Sequence, residues 1–152
     1  MLDLKGKVAF VTGAGTIGPG WGNGKATAVL LARQGAKIFG TDINPAAVEE
    51  TRAIIAGENG VCFTTACDMT DSAAVKKAVD ACMERFGRID ILINNVGGSA
   101  PGDPVSMSEE VWDRQLDHNL KTAFLGCKHV LPVMEKQGGG AIVNISSVAG
   151  FS

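Results

Sequence analysis

Tyrosine is absent from the 152 residues, so no phenol within them can act as acid or base. Positive charge is not in excess: 14 Lys and Arg stand against 16 Asp and Glu, a net charge of −2. A basic face for nucleic acid is therefore not expected. No apolar run reaches membrane-spanning length, so no membrane partner is expected. The first residues, Met1-Leu-Asp-Leu-Lys-Gly-Lys7, lack the apolar core of a signal peptide, and the expected location is the cytoplasm. The four cysteines, Cys62, Cys67, Cys82 and Cys127, form no C-x-x-C pair, and no histidine stands at zinc-site spacing from them. No metal site is expected, and the thiols read as reduced, small, buried side chains.

Apolar residues make up 45% and charged residues 20%, the balance of a soluble globular protein. The length fits one domain, residues 1–152. Apolar runs at Lys7–Thr12, Lys37–Thr41, Val61–Ala66, Ile89–Asn94 and Ala141–Ser146 read as strands. Between them lie helical patterns over Gly22–Gly35, from Asn44-Pro45 to Ala56, from Asp71 or Ser72 to Phe86, and from Ser106 or Ser108 to about Gln137. Pro45 sits where a first helical turn tolerates it, and Ser106 with Glu109 could form a capping box. Strands that alternate with helices predict an α/β fold with a parallel sheet covered on both faces. Right-handed crossovers then give a doubly wound, Rossmann-like sheet of five strands in the order 3-2-1-4-5, with ligands at the carboxyl ends of the strands.

The first strand runs through Val8-Ala-Phe-Val-Thr-Gly-Ala-Gly15 into a turn with glycines at 18, 20, 22 and 24, and the turn opens a helix. Glycines let the backbone approach an anion closely. A helix start adds unpaired N–H groups and partial positive charge, which together suit a pyrophosphate. Asp42 ends the second strand, where a carboxylate can accept from both ribose hydroxyls of NAD and repel the 2′-phosphate of NADP. It could equally cap the turn before Asn44-Pro45, and both roles can hold together. An asparagine after a strand, such as Asn94, often just satisfies a turn. His118 and His129 lie on the long helix without an assigned role, one expected exposed and one packed. Trp112 and Phe124 are expected as packing residues. Trp21 could cover a pyrophosphate or pack under the helix.

A glycine turn alone is weak evidence. Here it is joined by Val11-Thr12-Gly13-Ala14-Gly15, Gly22-Asn23-Gly24, Asp42, Asp68, Asn94-Asn95-Val96-Gly97, His118-Asn119-Leu120 and Ile142-Val143-Asn144-Ile145-Ser146-Ser147. In this ordered set the chain resembles the short-chain dehydrogenase/reductase family along its whole length. The resemblance implies NAD-dependent interconversion of a secondary alcohol and a ketone. It implies that Gly13, Gly22, Asn23 and Gly24 hold the phosphates, and that Asp68 and the Met69 backbone meet the adenine. It further implies that Asn95, Val96 and Gly97 lie along the ribose, that Asn119 serves a proton relay, and that Ser147 is the catalytic serine on the substrate oxygen. Ser146 would support the turn.

Two departures stand out. Eight residues, Ala14 to Trp21, separate Gly13 from Gly22, more than the family pattern has. The segment could bulge outward and leave Gly22-Asn-Gly24 in place, or Gly18-Pro19-Gly20 could take that position. Pro19 has no N–H to donate, which favours Gly22 and Gly24. The second departure is the missing Tyr-x-x-x-Lys helix, whose phenol delivers the proton in the family. The expectation is therefore a truncated chain that lacks about a hundred further residues. Such a chain would keep part of an NAD site without turnover, or persist as a remnant with no role. An apolar edge at the fifth strand and a bare helix face predict self-association.

Overall fold

The computed structural model describes residues 3–147. Its elements follow in the order β1 (Val8–Thr12), α1 (Asn23–Arg33), β2 (Lys37–Asp42), α2 (Pro45–Gly57), β3 (Cys62–Ala66), α3 (Ser72–Phe86), β4 (Ile91–Asn94), α4 (Glu109–Leu116), a π turn (Asp117–Lys121), α5 (Thr122–Gln137) and β5 (Ala141–Asn144). The five strands form one parallel sheet in the order β3-β2-β1-β4-β5. This is a doubly wound, Rossmann-like sheet.

β1 is buried throughout, as a central strand with helices on both faces must be. Its alternation splits the core in two. Val8 and Phe10 face one side, with Val75, Val79 and Cys82 of α3 and Leu125, Val130 and Met134 of α5. Ala9 and Val11 face the other, with Ala28 and Val29 of α1 and Val48 and Ile55 of α2. Register is in step across the middle: Val8 pairs with Lys37 and Thr12 with Thr41. The carboxyl ends of β1, β2 and β4 therefore finish side by side.

The local chemistry explains where elements begin and end. Asn44 caps α2 by accepting from the Ala46 N–H at 3.0 Å, with Pro45 at the first helical position. Asp71 caps α3, and Gly87 ends it in the left-handed conformation (φ 74°). β4 starts two residues later than the apolar run suggests. Ile89 is clamped by the Gln137 side chain, and the Asp90 carboxylate accepts from the Val8 N–H at 2.9 Å. Of the two serines before α4, Ser108 is the cap; Ser106 instead donates to Asp103 in a preceding turn.

The expected long helix runs from Glu109 to Gln137, but it is not α throughout: the Thr122 N–H reaches back to the Asp117 carbonyl, which inserts a π turn between α4 and α5. Such wide turns often mark functional positions. Trp112 and Phe124 are not packed; they are 57% and 58% exposed. With Leu116 and Leu120 they form a stripe at helical spacing, turned away from the side that buries Leu125 and Met134. Of the two places open to Trp21, packing under α1 does not fit its exposure; the ring is exposed beside the Lys25 ammonium.

β5 is paired on one side with β4, and its residues are largely exposed. All four cysteines are unpaired, and burial pushes the Cys62 and Cys82 thiols up to about 12 and that of Cys67 up to about 11. Among the described residues no group of His, Cys, Asp and Glu could hold a metal, and no helix is long and apolar enough to cross a membrane. Val148, Ala149 and Gly150, which follow the Ser-Ser pair, lie outside the described residues.

Candidate functional site

A cleft of about 600 Å³ opens at the carboxyl ends of β1, β2, β3 and β4. Its lining includes Gly13, Gly22, Asn23, Gly24, Asp42, Asp68, Met69, Asn95, Val96 and Gly97. These positions, far apart in sequence, converge because every parallel strand delivers its following turn to the same edge of the sheet.

The glycine turn is shaped by close approach. Gly13 has φ of 60°, which favours glycine. Gly24 packs so tightly that a Cβ there would lie 1.8 Å from the Gly13 carbonyl oxygen. Gly22 is the N-cap of α1 and has no side chain to satisfy the helix's first amides. The intervening residues bulge outward, with nothing within 4 Å of a Cβ placed on Gly18 or Gly20. The α1 start therefore keeps Gly22 and Gly24 at the cleft, and its open amides suit an anion.

Asp42 is fixed against this turn. Its Oδ2 accepts from the Gly15 N–H at 2.9 Å and its Oδ1 from the Asn44 N–H at 2.9 Å. The carboxylate thus caps its own turn and also stands at the cleft, with lone pairs left on each oxygen for a ligand's hydroxyls. Asp68 accepts from both the hydroxyl and the N–H of Thr70. The Thr70 hydroxyl first, then its N–H, hold the Asp68 carboxyl below the usual carboxylate range, helped by His118 and Lys121. The Met69 side chain points into the core, where its sulfur meets the Thr41 hydroxyl and Cys67. Its backbone is what remains for a ligand.

Asn95 has an internal duty that the sequence did not disclose. Its Nδ2 donates to the Gly13 carbonyl at 3.0 Å, bracing the glycine turn against the β4 turn. Thr12, also missed, is buried, and its hydroxyl accepts from the Asn95 and Val96 N–H groups. Thr51 donates to the Ala14 carbonyl at 2.7 Å. Thr12 carried one sequence signal, a hydroxyl directly before the glycine turn, and Thr51, inside α2, carried none. Asn94 is a structural residue: its Nδ2 donates to Asn144 Oδ1 at 2.8 Å, tying β4 to β5.

The two candidate catalytic residues stand apart from this lining. Asn119 lies on the π turn, where its Oδ1 accepts from the Gly98 N–H at 2.9 Å and its Nδ2 donates to the Gln115 carbonyl at 2.9 Å. Ser147 is exposed, three residues beyond β5. His118 lines the cleft beside Asp68 and Gly97, whereas His129 is partly covered and meets the Ser72 hydroxyl at 3.0 Å.

Residues 7–152 match the family model of the short chain dehydrogenases. This chain belongs to the short-chain dehydrogenase family. D-threitol dehydrogenase of Mycolicibacterium smegmatis is 43% identical over 148 residues, which cover 96% of the chain and 54% of that protein. The 3-oxoacyl-[acyl-carrier-protein] reductase FabG of Thermotoga maritima is 37% identical over 150 residues, covering 99% and 59%. A solved 7α-hydroxysteroid dehydrogenase, complexed with NADH and 7-oxo glycochenodeoxycholic acid, superimposes with a TM-score of 0.91 at 35% identity, covering 99% and 56%. A metagenomic short-chain oxidoreductase in complex with NADP gives 0.89 at 33% identity, covering 98% and 66%. The chain spans little more than half the length of the curated relatives it matches. Relatives include both an NADH and an NADP complex.

Proposed function

We propose that this chain forms the cofactor-binding part of an NAD-dependent oxidoreductase that interconverts a secondary alcohol and a ketone in the cytoplasm. One observation carries the reading: the Asp42 carboxylate is held by the Gly15 N–H at the glycine turn, beside the open amides of α1. The fit is supported by Gly24, whose missing Cβ lets α1 press onto the Gly13 carbonyl. A bound nicotinamide cofactor supplies or takes up the hydride. The α1 amides and the Gly13–Gly24 turn hold the diphosphate, and Asp42 accepts from the adenosine ribose. Asp68 and the Met69 backbone meet the adenine, and Asn95, Val96 and Gly97 floor the cleft. Asn119 orders the end of the cleft near Gly98, and Ser147 polarises the substrate oxygen. The 152 residues hold no tyrosine, so they do not supply the proton-donating phenol of the family.

That same absence favours a second reading, in which these residues bind NAD without turnover. Calorimetric titration with NAD and NADP, alongside a dehydrogenase assay, separates the two. NAD is expected to bind more tightly than NADP. The loss of charged hydrogen bonds in Asp42→Ala should weaken NAD about tenfold while NADP weakens less or gains. Equal loss for both cofactors would show Asp42 to be a turn cap only, and no saturable heat with either would sink the cofactor reading.

The stripe of Trp112, Leu116, Leu120 and Phe124, together with the exposed β5 edge, supports self-association as part of the proposal.

A further inference from the structure

Beyond the cleft the chain runs back along α4. The Gly98 N–H donates to Asn119 and the Ala100 N–H to Gln115, so the loop after β4 is laid along the helix until it turns into Ser108 at the helix start. Between loop and helix lies another cavity, of about 460 Å³. Pro104, Met107 and Trp112 give it apolar walls, and Asp103 and Glu109 bring carboxylates to it. Glu109 and Trp112 stand three positions apart, so they share one face of α4. Gly102 lets the loop backbone lie against Met107: a Cβ there would fall 2.9 Å from Met107 Cε. About 14 Å of helix separates Glu109 from His118, which lines the cleft, and the two cavities share no lining residue.

The charge around this cavity is one-sided. Residues 100–117 hold five carboxylates and one arginine, whereas the rest of the chain holds 13 Lys and Arg against 11 Asp and Glu. Asp103 accepts from the Val105 and Ser106 N–H groups and from the Ser106 hydroxyl. These bonds, the hydroxyl first, hold its carboxyl below the usual range and keep it charged. Glu110 is taken up by Ser108. The Glu109 carboxylate, by contrast, has no hydrogen bond or ion pair among the described residues. An anion would be repelled here, and a neutral apolar group would use the walls but not the carboxylates. A quaternary ammonium suits both: it has no N–H to satisfy, and an aromatic face attracts it.

We propose that this cavity is an accessory binding site for an organic cation, an alkylammonium whose charge rests on the Trp112 ring beside Glu109 and Asp103 and whose chain covers Met107 and Pro104. The proposal stands independently of the cofactor reading.

The test uses the 152-residue chain carrying Trp21→Phe, which leaves Trp112 as the single tryptophan. Protein is kept well below micromolar concentration, so that association through the outward stripe does not cover Trp112. Hexyltrimethylammonium is titrated against Trp112 emission at low ionic strength. Hexanol supplies the chain without the charge, and tetramethylammonium the charge without the chain. Hexyltrimethylammonium should change the emission saturably, and each partial probe should bind about tenfold more weakly. Glu109→Gln should weaken the cation about fivefold with far-UV circular dichroism unchanged. Glu110→Gln, an equal change in charge outside the cavity, should alter it less than about twofold. In the chain that keeps Trp21, Trp112→Leu should remove the rise in unfolding midpoint that the cation gives the parent. Hexanol binding as tightly as the cation would reduce the cavity to an apolar surface. Equal losses in the two glutamine variants would reduce it to long-range charge, and no saturable change would leave no site. Each of these three results overturns the proposal.

Discussion

Replacing Gly24 with alanine places a methyl group 1.8 Å from the Gly13 carbonyl oxygen and 2.5 Å from Asn95 Nδ2. Real Cβ contacts essentially never fall below 3.0 Å, so α1 must retreat from the β1 turn by about 1.2 Å. The obstacle is backbone, which cannot swing aside like a flexible side chain. Overpacking of this kind costs up to about 3 kcal/mol. Displacing Asn95 from the Gly13 carbonyl adds about 1 kcal/mol. Against this, alanine is a better helix former than glycine by about 1 kcal/mol. The steric term wins, for a net loss of roughly 3 kcal/mol. Urea unfolding followed by circular dichroism should show a midpoint lowered by about 1.5 M at an unchanged slope. Gly22→Ala is the control. Its Cβ would meet nothing closer than 3.5 Å, and its cost should stay within about 1 kcal/mol. If the two variants unfold at the same urea concentration, the close approach of α1 to the turn is not what demands glycine at position 24.

Acid stability should depend on Asp90. Burial pulls its carboxyl upward, but the Arg88 hydrogen bond, the Val8 N–H and the nearby charges of Arg88 and Lys7 outweigh that and hold it below the ordinary value. A depressed carboxyl contributes its full stability above the unfolded pKa of about 3.9, and that contribution fades as pH falls through the lower folded value. Asp90→Asn should therefore destabilise the chain by about 2 kcal/mol at neutral pH and flatten its acid slope; an unchanged slope would remove Asp90 from the account. The exposed stripe on α4 and α5 should drive association at micromolar concentration, visible by sedimentation. The double change Trp112→Glu and Phe124→Glu should abolish it without lowering the unfolding midpoint, and a monomeric parent chain would refute the idea.

The strand order and the convergence of the candidate site residues on one cleft were legible because both follow from local rules. Buried strands alternating with helices admit few parallel topologies, and each strand's last residues reach the same edge. So Asp42 and Asp68 could be placed near Gly13 from their position at strand ends alone. The π turn within the long helix was not legible. A π turn differs from an α turn by one shifted hydrogen bond, and Asp117–Lys121 carries no proline or glycine to announce it. Trp112 and Phe124 were misread because helical spacing shows that apolar residues share a face, not whether that face meets the sheet. The duties of Asn95 and Thr12 were invisible for a similar reason: their partners are 82 or more positions away in the chain.

By itself the sequence determined the class of fold and the edge at which chemistry can occur, because periodicity and glycine placement act over a few residues at a time. Only the tertiary structure decided that Asp42 grips the Gly15 amide, that Lys25 disappears beneath the enlarged loop, and that one helical stripe faces outward. Those outcomes depend on which side chains meet across the sheet, and distances in space are not written in the order of residues.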